Sequence, residues 1–350
     1  MIYFLDEDFS ELNQYVNNLQ PSQLLLLVDQ NTHEYCLPHV LANLETNIPF
    51  EIIEIEAGED LKNIQTATQL WEILAEFKVD RNALLINIGG GVITDLGGFV
   101  ASTYKRGIKF INVPTTLLAM CDASIGGKTG IDLAFMKNMV GTFSHAEELF
   151  VNENFLKTLP FEELRSGFAE MLKHGLIADE KHWQDLISIS NISAENIQPY
   201  IKRSMEIKEN VVEIDFKEQN IRKTLNFGHT FGHAFESLFL MEEKPIMHGE
   251  GVVMGMICET YLSFLKHFIS EDTSNTIIQK LQNYFPYISI SNLKEEEILN
   301  LMLNDKKNMS GEIKFSLLQA VGEGNFDISA TKEEMKACLN FYRNLKKINS

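Results

Sequence analysis

Two uninterrupted apolar runs constrain this chain more than any other feature: "QLLLLVDQN" at 23–31 and "ALLINIGGG" at 83–91. A strand with one wet face alternates apolar and polar side chains, whereas these runs leave almost nothing for water. Such strands are buried on both faces, which implies a parallel sheet covered by helices. "FEIIEIEAG" (50–58) and "IKFINVPTT" (108–116) add strands, and "IQTATQLWEILAEF" (64–77) has helical spacing.

From about Pro160 the β-branched runs thin out. Helical periodicity takes over at 161–178, 194–213, 222–240, 249–268 and 331–345, the last opened by a capping box from Thr331 to Glu334. A short strand pair is expected near 312–328. The 350 residues fit about two domains, with the boundary near 155–160 and no internal repeat.

A formal charge of −19 argues against nucleic acid or an anionic membrane as partner, because either needs a basic face. The sequence contains no apolar stretch long enough to span a bilayer, and "MIYFLDEDFS" lacks the basic start of a signal peptide. Cys36, Cys121, Cys258 and Cys338 are scattered without a CxxC, the pattern of buried thiols in a reducing cytoplasm.

"INIGGGVITDLGGFVAS" (86–102) follows a strand and opens a helix, where an α/β sheet presents backbone amides to a pyrophosphate. It is neither GxGxxG nor a Walker A loop, so Gly89, Gly90 and Gly91 also fit a plain tight turn. Asp95 and the small residues Gly97, Gly98 and Ala101 allow close packing of the helix. "VPTTLLAMCDASIGGKTG" (113–130) supplies Thr115 and Thr116 beside a Gly-Gly-Lys turn. Two such loops after neighbouring strands favour a dinucleotide over a bare turn.

"LNFGHTFGHAFE" (225–236) sets His229 and His233 on one helical face. They could both ligate a metal, divide into one ligand and one acid/base, or simply pack. His248 in "MHGEGVVMGM" and Glu170 in "SGFAEMLKHG" complete a set of two His and a carboxylate, that of a catalytic zinc site, while the missing HExxH disfavours a zincin protease. Glu170 and His174 form a rival pair, but His174 adjoins Lys173 and is expected on a solvated face. Lys105, Arg106, Lys128, Lys137, Lys173, Lys208, Arg222, Lys306 and Lys307 fall in or beside these motifs. In an acidic chain their concentration points to a pocket for a small polyanion bearing phosphate and carboxylate.

Together these segments resemble the 3-dehydroquinate synthase family, within the sugar-phosphate cyclases. The resemblance rests on "GGGVITDLGGFVA", "YKRG", "VPTTLLAMCDASIGGKTGID", "KNMVGTF", "FLKTLP", "SGFAEMLKHG", "LNFGHTFGHA", "HGEGVVMGM" and "DKK". It implies an α/β N-terminal Rossmann-like domain over 1–158 that binds NAD. A mostly α-helical C-terminal domain over 159–350 would bind metal and substrate. It also implies Glu170, His229 and His248 as ligands of zinc or cobalt, with His233 as acid/base.

NAD would be held by Asp29, Asn31, Glu59, Lys62, Gly90, Gly91, Val92, Asp95, Thr115, Thr116 and Asp122, closed by Phe155, Thr158, Leu159 and Glu163. Substrate would meet Lys128, Lys137, Asn138, Lys173, Lys208, Glu218, Arg222, Asn226 and one of Lys306 or Lys307. Lys128, Lys173, Glu218, Arg222 and Asn226 are counted with His233 as catalytic. Arg106 matches a residue that reaches a neighbouring subunit's phosphate pocket, which implies a homodimer. His145-Ala146 stands where the family usually has Gln-Pro, and Glu162 where Arg is common; both lie outside the implied catalytic shell.

The activity so implied is a phosphate-eliminating lyase reaction in the cytoplasm, part of the shikimate pathway to aromatic amino acids. It converts 3-deoxy-D-arabino-heptulosonate 7-phosphate to 3-dehydroquinate without net redox change. Other readings are a sister cyclase on a different sugar phosphate and a metal-dependent polyol dehydrogenase, whose uncharged substrates would not need the lysines. A non-enzymatic scaffold leaves the clustered His, Glu and Lys unexplained.

Overall fold

The apolar runs become central strands. A computed structural model describes residues 1–6, 8–133, 136–304 and 313–345. The chain divides into two compact units, Met1–Pro160 and Phe161–Ser350.

In the first unit the strands are β1 (Ile2–Phe4), β2 (Leu24–Asp29), β3 (Phe50–Ile55), β4 (Leu84–Gly89), β5 (Lys109–Pro114), β6 (Lys128–Leu133), β7 (Met136–Phe143) and β8 (Leu149–Val151). Six of them form one sheet in the order β1-β8-β5-β4-β2-β3, with every described pairing parallel. The helices are α1 (Ser10–Leu19), α2 (Gln30–Tyr35), α3 (Leu37–Asn43), α4 (Ile64–Glu76) and α5 (Gly91–Thr103). Leu24 to Val28 are buried throughout, as the run requires. The chain steps from β2 to β3 on one side and then crosses to β4 on the other, so the connections diverge at the carboxyl ends of β2 and β4. That crevice is where open α/β sheets bind ligands.

Two buried amides tie β4 to β5: Asn87 Nδ2 donates to Asn112 Oδ1 at 2.9 Å. A slip in register would leave both without this partner in an apolar interior, so the pair helps set the alignment. The segment 113–130, expected as a loop, instead contains a π-helical turn at Ala119–Ala123 and the first residues of β6. The β6–β7 hairpin has no clear signature in the sequence, because polar residues such as Lys128, Asp132, Lys137 and Asn138 mask the strand pattern.

The second unit contains α6 (Phe161–Ala178), α7 (Glu180–Leu186), α8 (Ala194–Ile214), α9 (His229–Met241), α10 (His248–Leu265), α11 (Glu271–Tyr284), α12 (Glu295–Asn304) and α13 (Lys332–Arg343). The antiparallel pair β9 (Lys314–Ala320) and β10 (Glu323–Ser329) completes it. The Thr331–Glu334 capping box forms as its pattern predicts. The single helix expected over 222–240 does not: a 3-10 turn at Ile221–Asn226 ends at Phe227, and α9 starts afresh at His229. The break is Gly228, at φ +82°, a left-handed conformation that disfavours a side chain.

α9 and α10 approach so closely that backbone meets backbone. A Cβ added at Gly255 would lie 1.8 Å from the Gly228 carbonyl oxygen, and one at Gly232 would lie 2.8 Å from the Gly251 oxygen. Glycine on both helices is thus the condition for bringing their first residues, His229 and His248, together. Gly255→Ala is expected to destabilise the protein by about 1–3 kcal/mol or more through overpacking, read as a lower urea midpoint; an unchanged midpoint would mean that the seam can open freely.

Candidate active site

Glu170 sits in the middle of α6, fully buried, and one turn later Lys173, also buried, contacts its carboxylate. His229 and His248 open α9 and α10. The Nε2 atoms of both lie 3.6 Å from the same oxygen of Glu170, Oε1. One ligand atom from each of the three residues falls within 4.8 Å of the others.

The far side of each ring is occupied. His229 Nδ1 is 3.1 Å from the Phe227 carbonyl, and His248 Nδ1 is 3.3 Å from both carboxylate oxygens of Glu236. With Nδ1 of each ring turned to these acceptors, Nε2 of both faces Glu170, the orientation metal-binding histidines adopt. Two imidazole nitrogens and a carboxylate oxygen suit a catalytic zinc or cobalt site. Burial disfavours a charge on His248, but Glu236 and Glu170 outweigh it and the imidazole pKa rises to about 10.

His233 stands beside this group and not in it: its ring centroid is 5.2 Å from that of His229 and 6.4 Å from that of His248. The i, i+4 pair therefore splits into one member of the cluster and one half-buried neighbour. His174 corrects the expectation of a solvated face. It is fully buried, with Nδ1 2.9 Å from Ser204 Oγ of α8, because α6 is wrapped by its own unit on nearly every side.

Among the other expected substrate residues, Lys208 on α8 is buried. Arg222, buried as well, donates from Nη1 to the Phe216 carbonyl at 2.6 Å. Its backbone is held by Asp215, which accepts from the amides of Gln219, Asn220 and Arg222. Glu218, at φ +56°, accepts from Asn226 Nδ2 at 2.8 Å, so these two form one contact. Lys306 and Lys307 lie outside the described residues.

The first unit carries the rest. Gly90 caps α5 without a side chain, Gly91 and Val92 open the helix, and a Cβ at Gly90 would lie 3.0 Å from Thr116 Cγ2. Thr115 N donates to the Gly89 carbonyl, joining the ends of β4 and β5. Asp122 is in the π-helical turn. At the end of β2, Asp29 caps α2 through the amide of Thr32, and Asn31 is exposed in its first turn.

Lys62 Nζ bonds Asp95 Oδ2 at 2.7 Å. Burial opposes the charge on Lys62, yet Asp95, Glu59 and Asp132 together raise its pKa above the ordinary lysine value. Glu59 lies 3.7 Å from Lys137, and Asp132 accepts from the amide of Asn138 at 2.7 Å. Phe155 is buried; Thr158 and Leu159 follow it in hydrogen-bonded turns. Glu163 lies in the first turn of α6, in the second unit. Arg106 is exposed, at φ +68°, and Lys128 begins β6.

Family models of the N-terminal and C-terminal halves of 3-dehydroquinate synthase match residues 52–166 and 167–308. A 3-dehydroquinate synthase of Parabacteroides distasonis is 40% identical over 336 residues, 95% of either chain. The chain belongs to the 3-dehydroquinate synthase family.

Solved cyclases share its fold. One is the 2-epi-5-epi-valiolone synthase of Streptomyces hygroscopicus subsp. jinggangensis 5008, solved with NAD+ and Zn2+ (TM-score 0.86, 24% identity, 98% of this chain and 96% of that one). Another is a 2-deoxy-scyllo-inosose synthase with carbaglucose-6-phosphate, NAD+ and Co2+ (TM-score 0.83, 22% identity, 98% and 96%). In this member of the 3-dehydroquinate synthase family, Glu236 is the site residue that sequence reading passed over. Its place one turn beyond His233 put it on the right face, but its partner His248 is on another helix.

A divalent ion held by Glu170, His229 and His248 would displace the proton of the His248 imidazolium. Because that pKa is raised to about 10, the proton is still held at pH 7.5 and is lost only as pH climbs through about 10. Zinc titration near pH 7.5 is expected to release about one proton per ion from this residue, measured by calorimetry in buffers of differing ionisation enthalpy. Release that is unchanged in His248→Gln would rule out this source.

Proposed function

We propose that the chain acts as a 3-dehydroquinate synthase, converting 3-deoxy-D-arabino-heptulosonate 7-phosphate to 3-dehydroquinate and phosphate with NAD and zinc, or cobalt, as cofactors. The observation that carries this reading is the cluster of Glu170, His229 and His248 with a second imidazole, His233, beside it. Glu170, His229 and His248 would hold the metal. The dinucleotide would lie at the ends of β2, β4 and β5, where the amides opening α5 have no side-chain cap from Gly90 and suit a pyrophosphate.

When bound, the metal supplies Lewis acidity toward substrate hydroxyls and NAD a reversible hydride acceptor, so the reaction has no net redox change. His233 takes the proton from the hydroxyl at C5 as that carbon is oxidised, a role suited to an imidazole that keeps its lone pair. Lys173, Lys208 and Arg222 neutralise the phosphate and carboxylate of a doubly anionic substrate, and the guanidinium offers a fork that lysine lacks. Asn226, oriented by Glu218, fixes a substrate hydroxyl. Burial of Lys173, Lys208 and Arg222 keeps water from competing for their contacts and strengthens each of them.

The functional unit is a homodimer in the cytoplasm. Leu133, Met139, Val140 and Phe143 of the β6–β7 hairpin are each 39–49% exposed, an apolar concentration that a second copy would cover. Phe143→Glu is expected to shift the protein toward monomer in analytical ultracentrifugation, whereas a dimer of undiminished affinity would place the interface elsewhere. No helix among the described residues is long and apolar enough to cross a membrane.

Purified protein with catalytic NAD and zinc should release phosphate stoichiometrically from the heptulosonate phosphate without lasting NADH absorbance. His233→Ala should retain zinc and lose turnover by about 10²–10⁴-fold. Absence of phosphate from folded, zinc-loaded protein would overturn the reading, and sustained NADH with a polyol would replace it by a dehydrogenase.

A further inference from the structure

The metal cluster uses one buried carboxylate, Glu170, and leans on another, Glu236. A third, Glu259, lies about three turns into α10 beyond His248 and has no part in the chemistry so far. It is fully buried, and its contacts are unusual: Oε2 accepts from the amide of Gly228 at 2.6 Å, and Oε1 from the amides of Thr230 and Phe231 at 3.1 and 3.4 Å. The first amides of a helix have no intrahelical acceptor, and Gly228 has no side chain with which to cap them. The neighbouring helix therefore delivers the cap, as a carboxylate at the positive end of α9.

The Gly228 amide and the Phe227 carbonyl belong to one peptide group. Its N–H is held by Glu259, and its C=O is 3.1 Å from Nδ1 of His229, whose Nε2 faces Glu170. Glu259 is thus joined to the imidazole through a single rigid, planar unit. Accepting at one end of that unit while donation occurs at the other polarises it in the same sense, which strengthens the bond to Nδ1. His248 is backed by a carboxylate directly, through Glu236.

We propose that Glu259 is a positioning residue for the metal ligand His229, acting through the Phe227–Gly228 peptide. This rests on the metal-site reading above. Metal ligands are oriented by such outer partners, whose loss typically costs 10–100-fold in affinity. Glu259→Gln keeps the shape but turns an NH2 group toward one set of amide donors, which tilts the peptide and with it the ring.

The test is zinc affinity of the full-length protein by chelator competition, with the visible spectrum of the Co2+-substituted protein and the unfolding temperature of the zinc-free form measured alongside. Glu259→Gln is expected to weaken zinc binding about 10–100-fold and to alter the cobalt spectrum. A lowered unfolding temperature with unchanged zinc affinity and spectrum would make Glu259 a helix cap only and overturn the proposal. If the glutamine variant does not fold, Glu259→Asp retains both oxygens on a shorter arm, and undiminished zinc affinity in it would have the same force. Zinc affinity that survives His229→Ala would instead overturn the metal-site reading itself.

Discussion

The close approach of α9 to α10 is the constraint on which the site depends. Neither helix alone carries a metal set: α9 has His229, α10 has His248, and both face Glu170 on α6. Glycine at 228, 232, 251 and 255 removes the side chains that would hold the two backbones apart. Packing that tight has two discrete outcomes, seated or wedged, because a protein interior does not yield by fractions of a methyl group. The separation of His229 and His248 is therefore fixed by backbone contact and not by the reach of flexible side chains.

Electrostatics follows from the same burial. The chain is strongly acidic, yet Lys62, Lys173, Lys208 and Arg222 are all buried. Lys62 is matched to Asp95 and Lys173 to Glu170. An ionised side chain in such surroundings needs a partner or a ligand. Carboxylates are buried too, Glu170, Asp215, Glu236 and Glu259 among them, so the interior holds both signs of charge while the chain as a whole is acidic.

Much of this was legible in the residues because it depends on local pattern. The apolar runs at 24–28 and 84–88 required strands covered on both sides, and the strand–glycine–helix step at 89–91 marked the amide-lined end of β4. The helix at 161–178 and the cap at Thr331 have periodicity and capping chemistry of their own. The break at Gly228 is hidden in the sequence because "LNFGHTFGHAFE" keeps an apolar stripe across it, and a left-handed glycine leaves no trace in periodicity. His174 departs from its pattern for a related reason: adjacency to Lys173 suggests water, but on α6 both side chains turn into the protein.

What the sequence by itself determined was therefore the class of each half, the inventory of ligands and cations, and, through ordered motifs, the family. Tertiary structure alone decided which residues act together. The spacing of His229 and His233 allowed either or both as ligands, and only the packing of α9 on α10 and α6 put one ring against Glu170 and left the other beside it. The roles of Glu236 and Glu259 were likewise decided there, since a carboxylate becomes the support of a histidine or of a helix end through neighbours distant along the chain. Local pattern is set by forces acting over a few residues, whereas a metal centre is set by distances between helices, which exist only once the chain is packed.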